Sequence, residues 1–254
     1  MLTAGIDIGS KNIKVVILQD DKEILAMSSV PGGIDQKASA EEALKAALQK
    51  AKVKRSDLEN IVSTGVGRKA APYITGDVLE VVAAARGAHF LMPSARVVVD
   101  VGAEEGMAAR CDSKGTVQDF AINEKCAAGS GNFVDTMART LELSTEEFAE
   151  LSLKSKAVVP MNAQCIIFAE SEVISLLHAK TPHADVSRAI HNAIAERVSS
   201  MIRRVGIEKD LVLIGGVSRN RGFVDALNRN LGVEVTMPED PEYVSALGAA
   251  LSHN

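Results

Sequence analysis

Tryptophan is absent from this chain, and phenylalanine and tyrosine together make only 3% of it. Its interior must therefore be filled by Ala, Val, Ile, Leu and Met. Dense runs of Lys and Arg are also missing, and the formal net charge is -5. Nucleic acid is thereby excluded as the main partner. No Gly-x-x-x-x-Gly-Lys-Ser/Thr segment occurs, which excludes a P-loop. The longest apolar helical stretch, near residues 166–177, is interrupted by Glu170 and Glu172, too early for a membrane span. The first residues lack a charged segment followed by an apolar one, so no signal peptide is expected. Three cysteines, an odd number, do not make a disulfide framework and point to a reducing cytoplasm.

What is present is enough for a large core. Of 254 residues, 46% are hydrophobic and 24% charged, a length that accommodates two domains. Strands are predicted over 3–9, 13–18 and 23–30, the second rich in β-branched residues. Ser39, with Glu42 three residues on, predicts a capped helix. A strand over 60–64 ends in Gly65-Val66-Gly67, and a helix over 80–91 stops before Pro93. The pattern then restarts, with strands over 95–102, 107–111 and 116–122. Asp7-Ile8-Gly9 and Asp100-Val101-Gly102 thus hold equivalent places in two meanders, a duplication at domain scale. The remainder reads as mostly helical: 132–141, a helix opened by Ser144 and Glu147, 166–179, 185–205, 219–231 and 246–251. In the long helix Ile190, Ala193, Ile194, Arg197, Val198 and Met201 define one face and its edge. Short strands are predicted at 211–214 and, closing the chain, at 233–236.

Three glycine-bearing turns can carry chemistry. Gly9-Ser10-Lys11-Asn12 offers backbone N–H groups to a phosphate. Asp7 beside it can hold hydrated Mg²⁺, a hard cation that favours carboxylate and water. The turn over 102–106 can take a terminal phosphate from the opposite side, and Gly215-Gly216-Val217-Ser218 lets backbone approach a nucleoside. Cys126 and Cys165 each stand near a predicted helix start, where free N–H groups favour thiolate. A cubane cluster takes four thiolates, more than one chain with three cysteines can supply, whereas two chains each giving Cys126 and Cys165 can. The alternative is that both are small buried hydrophobes. Cys111, in a return strand, reads as core. His178, His183 and His191 have no metal-ligand spacing, and Arg203 and Arg204 suit a helix C-terminus.

The order of these motifs resembles the actin, Hsp70 and sugar-kinase superfamily of ATPases. Gly5-Ile-Asp7-Ile-Gly9 is similar to its first phosphate motif, Asp100-Val-Gly102 to its second, and Ile214-Gly-Gly-Val to its adenosine motif. Asn123-Glu-Lys-Cys126-Ala-Ala-Gly-Ser-Gly131 and Cys165-Ile-Ile-Phe-Ala-Glu-Ser-Glu-Val-Ile174 narrow this. They resemble the BadF/BadG/BcrA/BcrD-type ATPases: activators of 2-hydroxyacyl-CoA dehydratases and ATPase subunits of ATP-dependent benzoyl-CoA reductase.

The resemblance implies an α/β fold of two duplicated halves with a nucleotide cleft between them, here 1–94 plus 240–254, and 95–239. It implies a 4Fe-4S cluster shared across a homo- or heterodimer through Cys126 and Cys165, with ATP/ADP and Mg²⁺ as further cofactors. Asp7, Asp100 and Glu104 become the catalytic candidates. Gly9, Ser10, Lys11, Lys14, Gly102, Ala103, Gly129, Gly131, Gly215 and Gly216 become the nucleotide-binding ones. The implied partners are a homologous ATPase subunit, the catalytic subunits of an acyl-CoA reductase or dehydratase, and reduced ferredoxin or flavodoxin as electron donor.

Two departures bear on the choice within the family. Activators usually read Asp-x-Gly-Gly-Gln-Asp at the second phosphate motif, whereas this chain reads Asp100-Val-Gly102-Ala103-Glu104-Glu105-Gly106. Glu104 is the expected replacement for the missing Gln, and the segment is more similar to a benzoyl-CoA reductase ATPase subunit. Lys11 stands where activators commonly have Thr. The expected activity is therefore ATP-driven, low-potential electron transfer to a benzoyl-CoA reductase, with dehydratase activation as the alternative. A small-molecule kinase, or a nucleotide-binding redox sensor, is the rival from another class.

Overall fold

The computed structural model describes residues 1–123, 130–161 and 166–253. The first sheet contains β1 (Leu2–Ile8), β2 (Asn12–Gln19), β3 (Glu23–Pro31), β4 (Asn60–Thr64) and the two-residue β5 (Gly76–Asp77), in the order β3-β2-β1-β4-β5. The second contains β6 (Val97–Val101), β7 (Gly106–Cys111), β8 (Val117–Asn123) and β9 (Leu211–Ile214), in the order β8-β7-β6-β9. In each sheet the leading strand pairs antiparallel with its hairpin partner and parallel with a later strand: β1 with β2 and β4, β6 with β7 and β9. The duplication expected from the two Asp-x-Gly segments is therefore a real repeat of strand topology.

Burial explains why the strands read as unbroken apolar runs. Ile13, Val15 and Ile17 of β2 pack on Ala40, Ala43, Leu44 and Ala47 of α1 (Gln36–Ala51). The intervening Val16 and Leu18 pack on Ala246, Leu247 and Ala250 of α8 (Val244–Ala250). Successive side chains thus enter different cores, and both faces are covered. The second sheet repeats this. Val97, Val99 and Val101 join a cluster with Phe133 of α3 (Gly131–Thr140), Ile190 and Ile194 of α6 (His183–Val205), and Phe223 of α7 (Arg221–Leu231). Val98 instead meets Val81, Ala84, Ala85 and Ala88 of α2 (Glu80–Leu91). The α8 backbone lies directly on β1: a Cβ on Gly5 would sit 1.8 Å from the Ala246 carbonyl oxygen. Gly5, the first residue of the phosphate motif, thus serves packing. Two further helices, α4 (Thr145–Lys154) and α5 (Ile166–His178), complete the second half.

Most predicted elements are present within a residue or two. The Ser144 cap holds: its hydroxyl accepts from the Glu147 N–H at 3.2 Å, and Glu147 accepts from the Ser144 N–H at 3.0 Å. The α1 start differs. Asp35, not Ser39, is the cap, accepting from the Ala38 N–H at 3.0 Å, while the Ser39 hydroxyl accepts from the Gly33 N–H at 3.1 Å. Helix-compatible Gln36-Lys37-Ala38 extend the helix back to Asp35, an equally good cap. The helix expected over 219–231 begins later, because Asn220 breaks it and caps the Phe223 N–H at 2.9 Å. The closing strand at 233–236 shrinks to one bridge between Val212 and Thr236, hemmed between Gly232 and Pro238. Among the described residues, no helix is long and apolar enough to cross a membrane.

Candidate nucleotide cleft

The two hairpins face one another across a cavity of about 560 Å³. Its lining includes Asp7, Gly9, Ser10, Lys11 and Lys14 from the first hairpin, and Asp100, Gly102, Ala103 and Glu104 from the second. Gly131, Gly215 and Gly216 complete the expected set. Gly129 and the two cysteines read as cluster ligands, Cys126 and Cys165, lie outside the described residues.

Strand register places the charges. Asp7 and Lys14 are direct partners across the β1–β2 hairpin, and the ammonium lies 3.0 Å from the Asp7 carboxylate. Burial works against the charged amine, but Asp7, together with Asp100 and Glu80, more than offsets it, and Lys14 is held above its ordinary value. Asp100 occupies the matching place on β6 and accepts from the Ser245 hydroxyl of α8 at 3.1 Å. Burial, and then repulsion from Asp7, push its carboxyl up to about 6. Glu80, at the first turn of α2, is pushed to about 8 by burial and then by Asp7, Glu105 and Asp100.

Glu80 and Glu105 also line the cleft, and sequence reasoning missed both. Glu80 was visible only as an acidic residue opening a helix. Glu104 is exposed at the cleft edge and accepts from the Asn132 side chain at 3.4 Å.

The arrangement holds more negative charge than its lysines offset, and a dication would relieve it. The donors are carboxylate oxygens, suited to a hard cation. Among the described residues, no three His, Cys, Asp or Glu form a closed metal cage. Mg²⁺ is commonly held by one or two carboxylates plus water and phosphate. On the far wall, Gly215 has φ +85°, and a Cβ there would lie 2.2 Å from the Asp100 carboxylate. Any side chain at Gly215 would thus occupy the space between β9 and the second hairpin. Beyond it, Arg219, Glu242 and Tyr243 form a polar rim, with Arg219 3.0 Å from Glu242.

The start of α3 is fixed to the second hairpin turn: Gly131 and Asn132 donate to the Gly102 and Ala103 carbonyls, each at 2.8 Å. Gly131 therefore lines the cleft with its own N–H already used. Its helix begins at Gly131, one residue before the predicted start, and α5 begins at Ile166 as predicted. Cys111 is buried as expected, and burial pushes its thiol up to about 11, leaving it unreactive.

Two repeated sheets, each presenting a carboxylate beside a tight hairpin, with a Gly-Gly turn on the third side, define the actin and sugar-kinase fold. A ROK family glucokinase from Streptomyces griseus shares that fold at a TM-score of 0.55 and 16% identity, with 98% of each chain covered. The chain belongs to the BadF/BadG/BcrA/BcrD ATPase family, whose profile matches residues 4–252.

The (R)-2-hydroxyglutaryl-CoA dehydratase activating ATPase of Acidaminococcus fermentans is 40% identical over 250 residues, covering 98% of this chain and 95% of that one. The solved activator of the 2-hydroxyisocaproyl-CoA dehydratase from Clostridium difficile, with bound ADPNP, superposes at a TM-score of 0.92 with 36% identity, covering 99% and 93%. A benzoyl-CoA reductase subunit of Thauera aromatica is 33% identical over 263 residues, covering 98% and 92%. These similarities favour the activators over the reductase subunit, reversing the preference drawn from the second phosphate motif. A four-residue departure such as Ala103-Glu104-Glu105-Gly106 weighs less than similarity along the whole chain.

Proposed function

We propose that this chain is an ATP-hydrolysing activator that drives an electron into a 2-hydroxyacyl-CoA dehydratase-type partner. The observation that carries this is the pair of opposed hairpins, which set Asp7 and Asp100 on one cavity with Gly215-Gly216 beside them. In this reading the turns over 9–12 and 102–106 hold the phosphates through backbone N–H groups. Asp7 and Asp100 would hold hydrated Mg²⁺, which would supply positive charge to offset that of the phosphates. Lys14 offsets part of the phosphate charge, and Glu104 orients the attacking water.

Closure of the cleft would move the half formed by 1–94 plus 240–254 against the half over 95–239. The nucleotide drives this only by binding the closed state more tightly than the open one. Cys126 and Cys165 are proposed ligands of a 4Fe-4S cluster shared with a second subunit, which would supply one-electron chemistry at low potential. A reduced ferredoxin or flavodoxin is the proposed donor. The Asp100-Val-Gly102-Ala103 segment supports a second reading, an ATPase subunit of a benzoyl-CoA reductase. A kinase leaves both cysteine segments without a role.

Anaerobic purification tests the proposal. Iron should co-purify with the assembly and be lost in Cys126→Ser, and ATP hydrolysis should require Mg²⁺. A Cys126→Ser protein that keeps its iron and its reductant-dependent spectrum would overturn the ligand assignment. Hydroxyacyl-CoA dehydration, against ring reduction, with the respective partner subunits decides between the two acyl-CoA readings.

A further inference from the structure

The first phosphate turn is tied across the cleft to a helix of the other half. The Lys11 ammonium, in the turn after β1, lies 2.5 Å from the Asp135 carboxylate of α3. Asp135 is one helical turn beyond Gly131, whose N–H is bonded to Gly102 of the second phosphate turn. Thus α3 is attached to the second turn through its backbone and to the first through one ion pair. Both members also line the nucleotide cavity. The pair is solvent-exposed, with side-chain accessibilities of 59% and 31%, so it is weak and screened by salt. A terminal phosphate with two negative charges is a stronger partner for an ammonium than one exposed carboxylate.

We propose that Lys11 is a positioning residue that exchanges Asp135 for the terminal phosphate of a bound nucleoside triphosphate. This rests on the reading of the cavity as a nucleotide cleft and extends it. With a diphosphate bound, Lys11 pairs with Asp135 and holds α3 against the first turn. With a triphosphate bound, Lys11 turns to the phosphate. Asp135 is left facing added negative charge, and α3 is released at that point. In sequence, α3 follows the segment that contains Cys126. The other charged groups at this place are Glu104, held by Asn132, and Arg139 further along α3.

The test compares the affinity ratio of Mg·AMPPNP to Mg·ADP, by calorimetry, in wild type, Lys11→Met, Lys11→Arg and Asp135→Asn. Lys11→Met should lower the ratio by about tenfold, a typical coupling between sites. Lys11→Arg should largely restore it. Asp135→Asn should raise it several-fold, because no carboxylate competes for the lysine. Combining Asp135→Asn with Lys11→Met should give the ratio of Lys11→Met alone. Amide exchange over α3 should differ between the two nucleotides in wild type and Lys11→Arg, and not in the other variants. Ratios and α3 exchange unchanged in Lys11→Met and Asp135→Asn would overturn the role of Lys11 while leaving the cleft intact. Failure of the wild type to bind either nucleotide would overturn the cleft itself.

Discussion

Lys14 stands directly opposite Asp7 in the β1–β2 register, its ammonium 3.0 Å from that carboxylate. A hairpin with no free choice of side-chain direction thereby delivers a cation to the floor of a cleft crowded with Asp100, Glu80 and Glu105. Both partners are mostly buried, with side-chain accessibilities of 18% and 12%. Removing the lysine leaves a poorly solvated anion. Lys14→Met should therefore destabilise the protein by about 1–3 kcal/mol and weaken Mg·nucleotide binding by at least about tenfold. Urea unfolding and nucleotide titration read the two effects separately. An unchanged affinity would remove Lys14 from the site.

Asp100 yields a prediction of opposite sign for stability. Its carboxyl is raised from 3.8 to about 6 in the folded chain. A raised carboxylate carries no penalty below the unfolded value and the full penalty above the folded one. Without metal, stability should thus fall as pH rises from 3.8 through about 6. Asp100→Asn should remove that fall and stabilise the metal-free protein at neutral pH by about 1 kcal/mol, since solvent reaching the cleft floor moderates the penalty. The same substitution should abolish Mg²⁺-dependent hydrolysis. Thermal melts across this pH range, with and without Mg²⁺, are the check.

His191 predicts a second pH effect, at a buried position on α6. It is fully buried on α6, with Nδ1 2.7 Å from the Ser187 carbonyl and its ring against Phe148. Burial lowers its value from 6.5 to about 4. The unfolded chain binds this proton first, so stability is complete above about 6.5 and is lost as pH falls towards about 4. The full loss is on the order of 3 kcal/mol. His191→Gln should flatten that part of the stability curve relative to wild type, measured by denaturant unfolding.

Gly5 predicts a packing failure. Any side chain there meets the Ala246 carbonyl oxygen at 1.8 Å and the Ala250 nitrogen at 2.5 Å, both backbone atoms. Gly5→Ala must push α8 off β1, at a cost of about 3 kcal/mol or more. Loss of more than half the soluble yield, or a lowered urea midpoint, is the expected result. A wild-type midpoint would show that α8 yields freely.

The fold was legible because its signals are local and repeated. The β-branched runs, the two Asp-x-Gly hairpins and the Ser144 capping box each specify a structure without help from distant residues. What was missed depends on tertiary neighbours. Asp35 outcompetes Ser39 only because the chain before it turns to present a cap. Glu80 looks like any acidic residue at a helix start until the second sheet brings Asp7, Asp100 and Glu105 around it. The Lys11–Asp135 pair joins positions 124 residues apart and leaves no trace in spacing. The preference for benzoyl-CoA reduction over dehydratase activation rested on one short segment, Ala103-Glu104-Glu105-Gly106, and similarity along the whole chain favours the alternative.

The central claim is that one nucleotide sits between the Asp7 and Asp100 hairpins. Calorimetric titration of the anaerobically purified chain with Mg·AMPPNP tests it most directly, alongside Asp7→Asn and Asp100→Asn. The account predicts one saturable site per chain, weakened by at least about tenfold in each variant. No binding, or binding that neither substitution alters, would contradict it.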